Sequence, residues 1–541
     1  LRRNWDNERA VARGVLDRIG YPPPSPTVLR AELDRLFPQR AAGAPDWQRI
    51  ACALAARNGF AVITGGPGTG KTTTVVRLLA LLQTVHRRDH ATPLRIHLAA
   101  PTGKAAARLG EAIGTQVAQL DVDAGVRAAI PTEVTTLHRL LGARPDTRRY
   151  RHDRSHPLYL DVLVVDEASM VDLEMMAALL AALPASARLI LLGDKDQLAS
   201  VEAGAVLGDL CRFADHPHYD AATLAWLEAA TGIAVDAAAA RPAVPVEQAI
   251  ASLRTSHRFA ADSGIGQLAS AVNAGDATTA QALLAGTGGD LAWLPGADDQ
   301  VLDALVLGHV VGTSATPPHH GLVGYLDWLQ AARPAAGANE DAYAGWASGA
   351  LAALNRFQLL CALRQGPLGV DGINQRVAHL LHRQHRIDAE EGWYEGRPVL
   401  VTRNDYRLGL MNGDVGLCLR VPAPASTQDT RLVVAFPAAP SPRADAAAIR
   451  FVAPSRLTEV ETAFALTVHK AQGSEFDHVA LLLPPAASAV ATRELLYTAI
   501  TRARRSFTLV GTEAVIAASI ARRTQRHSGL GARLQAGETA H

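Results

Sequence analysis

The sequence predicts an α/β protein in which parallel β-sheets are flanked by helices. Several short apolar runs end in clusters of polar residues, as buried parallel strands do at their carboxyl ends. The first run leads into a glycine-rich loop and then a helical pattern. At 541 residues the chain is too long for one core, and roughly 100–200 residues per domain predicts about three or four domains.

The composition directs attention to the lysines. Hydrophobic residues make up 48% of the chain and the net charge is +1, which excludes wholesale disorder and limits any nucleic-acid contact to local basic strips. The chain has 49 arginines and four lysines, Lys71, Lys104, Lys195 and Lys470. In confined sites, the compact ammonium of Lys and the planar guanidinium of Arg make different contacts. Each lysine lies in a segment suited to phosphate or nucleic acid, with chance placement as the alternative.

Cysteine usage and hydropathy predict a cytoplasmic protein. Neither a signal-peptide core nor a run of about 18 uncharged apolar residues is present. The chain starts at Leu1 rather than Met, so some N-terminal sequence is expected to be missing. The four cysteines lie far apart, without metal-site or disulfide spacing, and are Cys52, Cys211, Cys361 and Cys418.

The glycine-rich loop predicts a site for ATP and Mg²⁺. Phe60–Thr64 is a strand-like run, and GGPGTGKT follows it at Gly65–Thr72. The glycines let backbone N–H groups surround phosphates, Lys71 reaches the β- and γ-phosphates, and the Thr72 hydroxyl is placed for Mg²⁺. The predicted nucleotide-binding residues of this segment are Gly65, Gly66, Pro67, Gly68, Thr69, Gly70, Lys71, Thr72 and Thr73.

A second chemical centre follows the apolar run Leu160–Val165, which ends in Asp166 and Glu167. At the carboxyl end of a parallel strand, Asp166 is expected to hold Mg²⁺ through water and Glu167 to polarise the attacking water. The alternative is a solvated acidic loop. Two more strand-like runs, Arg95–Pro101 and Arg188–Gly193, end in polar clusters that are either further parts of this edge or ordinary loops.

Three later runs stand in a fixed order: LRTSHRF at Leu253–Phe259, ALTVHKAQGSEF at Ala465–Phe476 and YTAITRAR at Tyr497–Arg504. Together with the glycine-rich loop and the acidic pair, they resemble the motif set of superfamily 1 DNA helicases. Longer runs narrow the resemblance to the RecD family of superfamily 1B, the alpha subunits of exodeoxyribonuclease V (RecBCD). Those runs are Ala99–Arg108, Thr136–Gly142 and Gly193–Leu210.

The resemblance implies roles at the nucleotide. Gln48 matches the glutamine that reads adenine, and Gln197 matches the residue that senses the γ-phosphate. Arg258 and Arg502 match two arginines that reach from the second motor domain to the transferring phosphoryl group, although any single arginine among 49 is more often surface charge. Glu475 is assigned to the nucleotide as well.

Other motif residues are implied to face single-stranded DNA or to link DNA to nucleotide. A structural role remains open for His138 and His469. Of the four lysines, Lys195 has the weakest functional assignment, and the alternative is that it is a solvated charge on a loop. His257 stands where related helicases often carry tyrosine, which puts stacking on adenine there in doubt. The implied DNA-side residues are Thr102, Lys104, His138, Thr467, His469 and Lys470.

The resemblance implies two RecA-like P-loop motor domains with the ATP site between them. Four short strand-like runs separated by turns, at 399–402, 415–419, 432–436 and 449–452, predict a small inserted β-barrel. It resembles the SH3-like insert of this helicase group, which implies a DNA-gripping role, with a purely structural role as the alternative. The amphipathic stretch Val15–Phe37 predicts a helical start, and the resemblance implies that this region docks on a partner subunit. The expected domains are 1–44 (partial docking region), 45–250 (first motor domain), 251–390 (second motor domain), 391–453 (insert) and 454–541 (completion of the second).

The implied function is an ATP-dependent 5′→3′ translocase and helicase on single-stranded and duplex-end DNA. It would form a heterotrimer with RecB-like and RecC-like subunits in double-strand break repair, recombination and degradation of linear DNA. A stand-alone RecD-like helicase and a non-translocating, ATP-gated regulatory subunit remain as alternatives.

A common type of two-metal nuclease needs an acidic residue two positions before a lysine. Those positions hold Thr69, Thr102, Gly193 and Val468. No nuclease site of this type is therefore expected in the chain.

Overall fold

The structure is a computed structural model that describes residues 2–38, 45–144, 147, 149–200, 204–235, 242–260, 262–286, 289–309, 321–335, 337–405, 407–423, 426–438, 449–524 and 528–536. Residues 236–241 and 310–320, from two stretches rich in Ala, Gly and Pro, lie outside these ranges. Within them, no helix is long and apolar enough to cross a membrane.

The strands are β1 Phe60–Gly65, β2 Ile96–Ala100, β3 Val134–Thr136, β4 Val162–Val165, β5 Arg188–Gly193, β6 Ile250–Leu253, β7 Leu291–Leu294, β8 Phe357–Cys361, β9 Pro398–Val401, β10 Val415–Ala423, β11 Ser426–Pro437, β12 Ile449–Val452, β13 Val460–Thr462, β14 Ala465–Thr467, β15 Phe476–Leu482 and β16 Ala503–Val510. The helices are α1 Arg2–Leu16, α2 Pro26–Leu36, α3 Trp47–Arg57, α4 Lys71–Asp89, α5 Gly103–Ala118, α6 Ala124–Ala128, α7 Leu137–Leu141, α8 Leu173–Ala182, α9 Val206–Leu210, α10 Ala221–Thr231, α11 Gly264–Ala274, α12 Ala277–Ala285, α13 Asp299–Leu307, α14 Val323–Ala331, α15 Glu340–Leu354, α16 Val370–Arg383, α17 Arg493–Ile500, α18 Glu513–Ala521 and α19 Leu530–Ala536.

The first of two compact units is built on a six-stranded sheet, β3-β2-β4-β5-β1-β6, in which every neighbouring pair is parallel. Alternate strand residues face two different cores, so Val162 and Val164 lie on one face and Leu163 and Val165 on the other. Helices therefore cover both faces, as near-continuous apolar strands require. The predicted fold class is confirmed for this unit.

The two N-terminal helices pack on opposite faces of this sheet. Val11 and Val15 of α1 are buried in one core, while Leu29 and Leu33 of α2 are buried in the other. The proline run 22–26 separates the two helices, since proline lacks the N–H that a helix interior needs. Docking of this region on a partner stays a prediction.

Two segments expected in the second domain belong to the first unit. Strand β6 pairs with β1 in parallel, so the first unit continues through Arg258 and the predicted boundary at residue 251 is wrong. Helix α19 also joins this unit, because Leu530 and Leu534 are buried in the core that contains α1. Both segments are adjacent in sequence to the second domain, so the sequence alone did not show that they pack in the first unit.

The second unit, Phe259–Thr524, contains a five-stranded parallel sheet in the order β14-β8-β15-β16-β7. Between β8 and β14 the chain forms an antiparallel sheet, β12-β11-β10-β9-β13. The four predicted strands of the insert are present, and β13 is an additional one. Along β10, Leu417 and Leu419 join the core of the unit while Cys418 faces a smaller core with Val434 and Phe436. The SH3-like identity of the insert stays a prediction.

Candidate active site

The predicted chemical residues of the first unit gather at one edge of its sheet. The carboxyl ends of parallel strands lie on the same side, and they lead to the glycine-rich loop after β1, Thr102 after β2, Asp166 after β4, Asp194 after β5 and Arg254 after β6. Ligands of open parallel sheets bind at such an edge. Clusters far apart in the sequence thus share one surface.

The glycine-rich loop has the backbone of a phosphate cradle. Gly68 and Gly70 adopt positive φ values of 74° and 83°, and α4 starts immediately afterwards at Lys71. The Lys71 ammonium donates to the carbonyl oxygens of Gly65 (2.6 Å) and Gly66 (3.0 Å), so it lies within the loop. The free amides and positive dipole end of a long helix favour a phosphate at this point, and Thr72 and Thr73 lie in its first turn.

Gly68 offers a direct test of the cradle. A Cβ added there would lie 2.2 Å from the Arg258 Cβ, on a backbone that side chains rarely adopt. Gly68→Ala is therefore expected to displace the loop and to weaken ATP binding by about a hundredfold, measured by isothermal titration calorimetry. Gly114→Ala is the control, because nothing lies within 4 Å of a Cβ added there. Unchanged ATP affinity in Gly68→Ala would contradict the assigned phosphate site.

Gln48 lies against the loop, at the start of α3. Asp46 caps this helix by accepting from the backbone N–H groups of Gln48 (3.0 Å) and Arg49 (3.1 Å). The Gln48 side-chain amide donates to the Thr69 carbonyl oxygen at 3.2 Å. The cap fixes the residue beside the cradle, where a nucleotide base attached to bound phosphates could be reached.

The Asp166–Glu167 pair lies close to the loop, and its two carboxylates repel each other. Burial and the neighbouring Glu167 carboxylate raise the pKa of Asp166 to about 6, while Lys71 acts in the opposite direction. Glu167 adopts a left-handed backbone, φ 51° and ψ 41°, a conformation that costs a glutamate on the order of 1 kcal/mol. Two crowded carboxylates suit a nearby cation.

The described residues contain no cluster of three or more His, Cys, Asp or Glu side chains that could hold a metal ion by themselves. A Mg²⁺ ion at Thr72 and Asp166 would therefore take further ligands from nucleotide phosphates and water, which is how Mg²⁺ is usually bound with ATP. The residues present fit that arrangement.

In the cluster after β5, the side chains of Gln197 and Lys195 have different surroundings. Gln197 donates from Nε2 to Asp194 at 3.0 Å, and its Oε1 atom is buried without a hydrogen-bond partner in the described part of the chain. A buried acceptor of this kind suits a ligand or water. The Lys195 ammonium instead lies 2.7 Å from Asp196 and 2.9 Å from Asp215. Burial opposes its charge, but the two carboxylates outweigh burial and raise the pKa of Lys195.

Arg258 lies in the first unit, not in the second as predicted. The backbone N–H of His257 donates to the Gly68 carbonyl oxygen at 2.8 Å, and the Ser256 hydroxyl donates to Pro67 at 3.1 Å. These bonds attach the segment after β6 directly to the phosphate loop. The correction follows from the pairing of β6 with β1, which carries Arg258 to the same edge.

The two other predicted nucleotide residues lie in the second unit. Arg502 is 2% exposed and donates to the carbonyl oxygens of Thr498 and Ser474, both at 3.2 Å. Glu475 accepts from Arg504 Nε at 3.1 Å. Both side chains are thus held within their own unit.

Two predicted DNA-side residues of the first unit have evident structural roles. The Thr102 hydroxyl accepts from the Ala105 N–H at 3.2 Å and caps α5, with Lys104 in the first turn. The His138 ring lies 6.3 Å from the Tyr150 ring. His138 retains exposed surface, and partial burial of the ring lowers its pKa.

In the second unit, the segment after β14 is tied to the insert. The Thr467 hydroxyl accepts from the Lys470 N–H at 3.2 Å, and the Lys470 ammonium donates to Asn412 Oδ1 at 2.8 Å. His469 lies in the same turn. Burial lowers the pKa of Lys470. Asn412 was missed in the sequence, where an Asn-Gly turn is its only signal.

A second missed pair lies beside Gln48. The Arg254 guanidinium lies over the Trp47 ring, with Cζ 4.2 Å from the ring centroid. Arg254 lies in the run LRTSHRF, where no role is predicted for it, and Trp47 lies outside the motif runs. Their contact depends on the packing of α3 beside β6 and is invisible in the sequence.

Two known protein families match parts of the chain that contain the glycine-rich loop, the acidic pair, Gln197 and the motif runs after residue 462, whereas the run Leu253–Phe259 lies outside both matches. An AAA domain matches residues 48–203, and a UvrD-like helicase C-terminal domain matches residues 462–510. The chain is 41% identical over 536 residues to the "RecBCD enzyme subunit RecD" of Mycolicibacterium smegmatis, covering 99% of the chain and 82% of that protein. It is 31% identical to the "ATP-dependent RecD2 DNA helicase" of Deinococcus radiodurans, covering 88% of the chain and 50% of that protein. A solved structure of two coordinating Pif1 helicases at forked double-stranded DNA is 16% identical with a TM-score of 0.41, covering 86% of the chain and 92% of the Pif1 chain.

Proposed function

The chain belongs to the RecD family of RecBCD enzyme subunits, and from this premise we propose that it moves 5′→3′ along single-stranded DNA and opens duplex ahead of it. It is an ATP-dependent DNA helicase of the RecD type. The direction of movement is the proposed part, and it rests on the resemblance to superfamily 1B helicases.

The observation that supports the ATP-driven part of the proposal is the meeting of four groups at one sheet edge: Lys71, the Asp166–Glu167 pair, Gln197 and Arg258. In phosphoryl transfer the protein contributes positioning and charge stabilisation. Lys71 binds the β- and γ-phosphates, Glu167 orients and deprotonates the attacking water, and Gln197 and Arg258 contact the γ-phosphate. These roles together amount to ATP hydrolysis at this edge.

We assign Mg²⁺ to Thr72 and Asp166. When bound there, the ion would neutralise part of the charge on the β- and γ-phosphates. Burial and the neighbouring Glu167 carboxylate raise the pKa of Asp166, and a divalent cation favours its ionised form. The roles of Arg502 and Glu475 at the nucleotide remain predictions from their motifs.

On the DNA side, short hydroxyl and amine side chains suit backbone phosphates, which gives binding without sequence preference. The bond between Lys470 and Asn412 supports a DNA-gripping insert, because it links the insert to a motif turn. RecB-like and RecC-like chains are the proposed partners, in the bacterial cytoplasm. The proposed DNA contacts are Thr102, Lys104, His138, Thr467, His469 and Lys470.

Unwinding of duplexes that carry either a 5′ or a 3′ single-stranded overhang tests the direction. We expect the chain, alone and with RecB-like and RecC-like partners, to open the 5′-overhang duplex faster in an ATP-dependent strand-separation assay. Blunt duplex serves as the control for overhang loading. Faster opening of the 3′-overhang duplex by the chain alone would overturn the assigned direction.

A further inference from the structure

We propose that Arg254, backed by Trp47, is the surface on which the base of ATP stacks in this chain. The inference rests on the proposed ATP-driven function and deepens it by assigning the base-binding residue. The position that often holds tyrosine in related helicases is His257 here. The imidazole ring of histidine is smaller than the ring of tyrosine, and Arg254, three residues earlier, carries a further planar group.

The start of α3 supplies the backing. Gln48 is held on the loop by its bond to the Thr69 carbonyl oxygen, and Trp47 directly precedes it. The Asp46 cap fixes the first turn that carries both residues. Trp47 packs against the core of the first unit, so its ring is a firm support close to the predicted adenine-reading amide.

Arg254 is the first residue after β6, the strand next to β1. Its guanidinium lies 4.2 Å over the Trp47 ring and donates from Nη2 to the Asp215 carbonyl oxygen at 3.0 Å. The Asp215 carboxylate is in turn held by Lys195 at 2.9 Å. One face of the guanidinium is covered by Trp47 while the residue stays exposed, which leaves the opposite face for a ligand.

A guanidinium held in this way is suited to stack against a nucleotide base. It is planar, permanently charged and weakly hydrated, and it stacks on aromatic faces. A purine offers a larger π-face than a pyrimidine, so Arg254 favours purine nucleoside triphosphates. The Gln48 amide, with one donor and one acceptor group, then selects by the base edge.

Calorimetric titrations of the full chain with ATP, CTP and inorganic tripolyphosphate test this assignment. Arg254→Ala is expected to weaken ATP binding by about tenfold, as loss of one base-stacking group does, and to leave tripolyphosphate binding unchanged. Arg254→Lys keeps the charge without the plane, and we expect ATP binding between those of wild type and Arg254→Ala. Arg9→Ala is the matched control, because Arg9 lies 4.6 Å over the Trp5 ring on α1.

Tryptophan emission gives an independent readout. ATP is expected to change the emission of the wild-type chain, and Trp47→Phe should remove that change while retaining most of the affinity. ATP affinity unaltered in Arg254→Ala, or an equal loss for ATP and tripolyphosphate, would overturn the stacking role. A wild-type chain that binds neither ligand would instead refute the ATP site itself, so the two failures are distinct.

Discussion

Replacing Lys71 by Gln is expected to abolish DNA-stimulated ATP hydrolysis, with kcat reduced by about a thousandfold. The ammonium lies inside the phosphate loop, bonded to the Gly65 and Gly66 carbonyl oxygens. Glutamine keeps a polar end but supplies no positive charge for the phosphates as negative charge redistributes in the transition state. Steady-state phosphate release, with and without single-stranded DNA, measures the effect.

Arg87→Gln is the control for Lys71→Gln. It removes one positive charge from the same helix, α4, at the end remote from the phosphate loop. Its ion partner is Asp123 at 4.0 Å on the surface, and pairs of this kind contribute little to stability. We expect hydrolysis close to wild type. A Lys71→Gln chain that retains more than a tenth of the wild-type rate would refute the role of this lysine.

Glu167→Gln is expected to block the chemical step while ATP still binds. Loss of a positioned general base lowers kcat by on the order of a hundredfold to ten-thousandfold. Glutamine has the size of glutamate and meets the same left-handed backbone of φ 51°, so the change isolates the carboxylate. Single-turnover hydrolysis measures the step, and equilibrium ATP binding shows that the site remains intact.

Glu174→Gln is the comparison for this change, because Glu174 lies on the next helix, α8, and pairs with Arg3 on the surface. We expect no loss of hydrolysis from it. If Glu167→Gln lost ATP affinity as strongly as rate, Glu167 would hold the nucleotide rather than activate water. If neither quantity changed, another group would have to act as the base.

The sequence was sufficient wherever local pattern and chemistry agree. Apolar runs bounded by polar clusters located β1, β2, β4 and β5, and the loop between β1 and α4 was readable because glycines at positive φ leave a clear signature. The strands of the insert could also be predicted, because turn residues separate them. The fold class and the position of the glycine-rich loop between a strand and a helix followed from such short segments.

Long-range pairing was the part that local pattern could not supply. The run Ile250–Leu253 is apolar and fits either sheet, so only its hydrogen bonds to β1 show that Arg258 lies in the first unit. Strand β13, three residues long, has no distinctive alternation. The stacking of Arg254 on Trp47 joins a residue of the run LRTSHRF that has no predicted role to a residue outside the motif runs. In each case the deciding contact comes from a residue remote in sequence.

Helix α19 has a consequence for synthesis of the chain on the ribosome. Leu530 and Leu534 are buried in the same core as Val11 and Val15 of α1. The first unit therefore begins to leave the ribosome before the second unit, but its core is completed last. Bacterial synthesis at about 5–20 residues per second separates these two events by tens of seconds. During that interval the apolar face of α1 is incompletely covered. Messages truncated before residue 528 should therefore yield chains that chaperones retain and proteases remove.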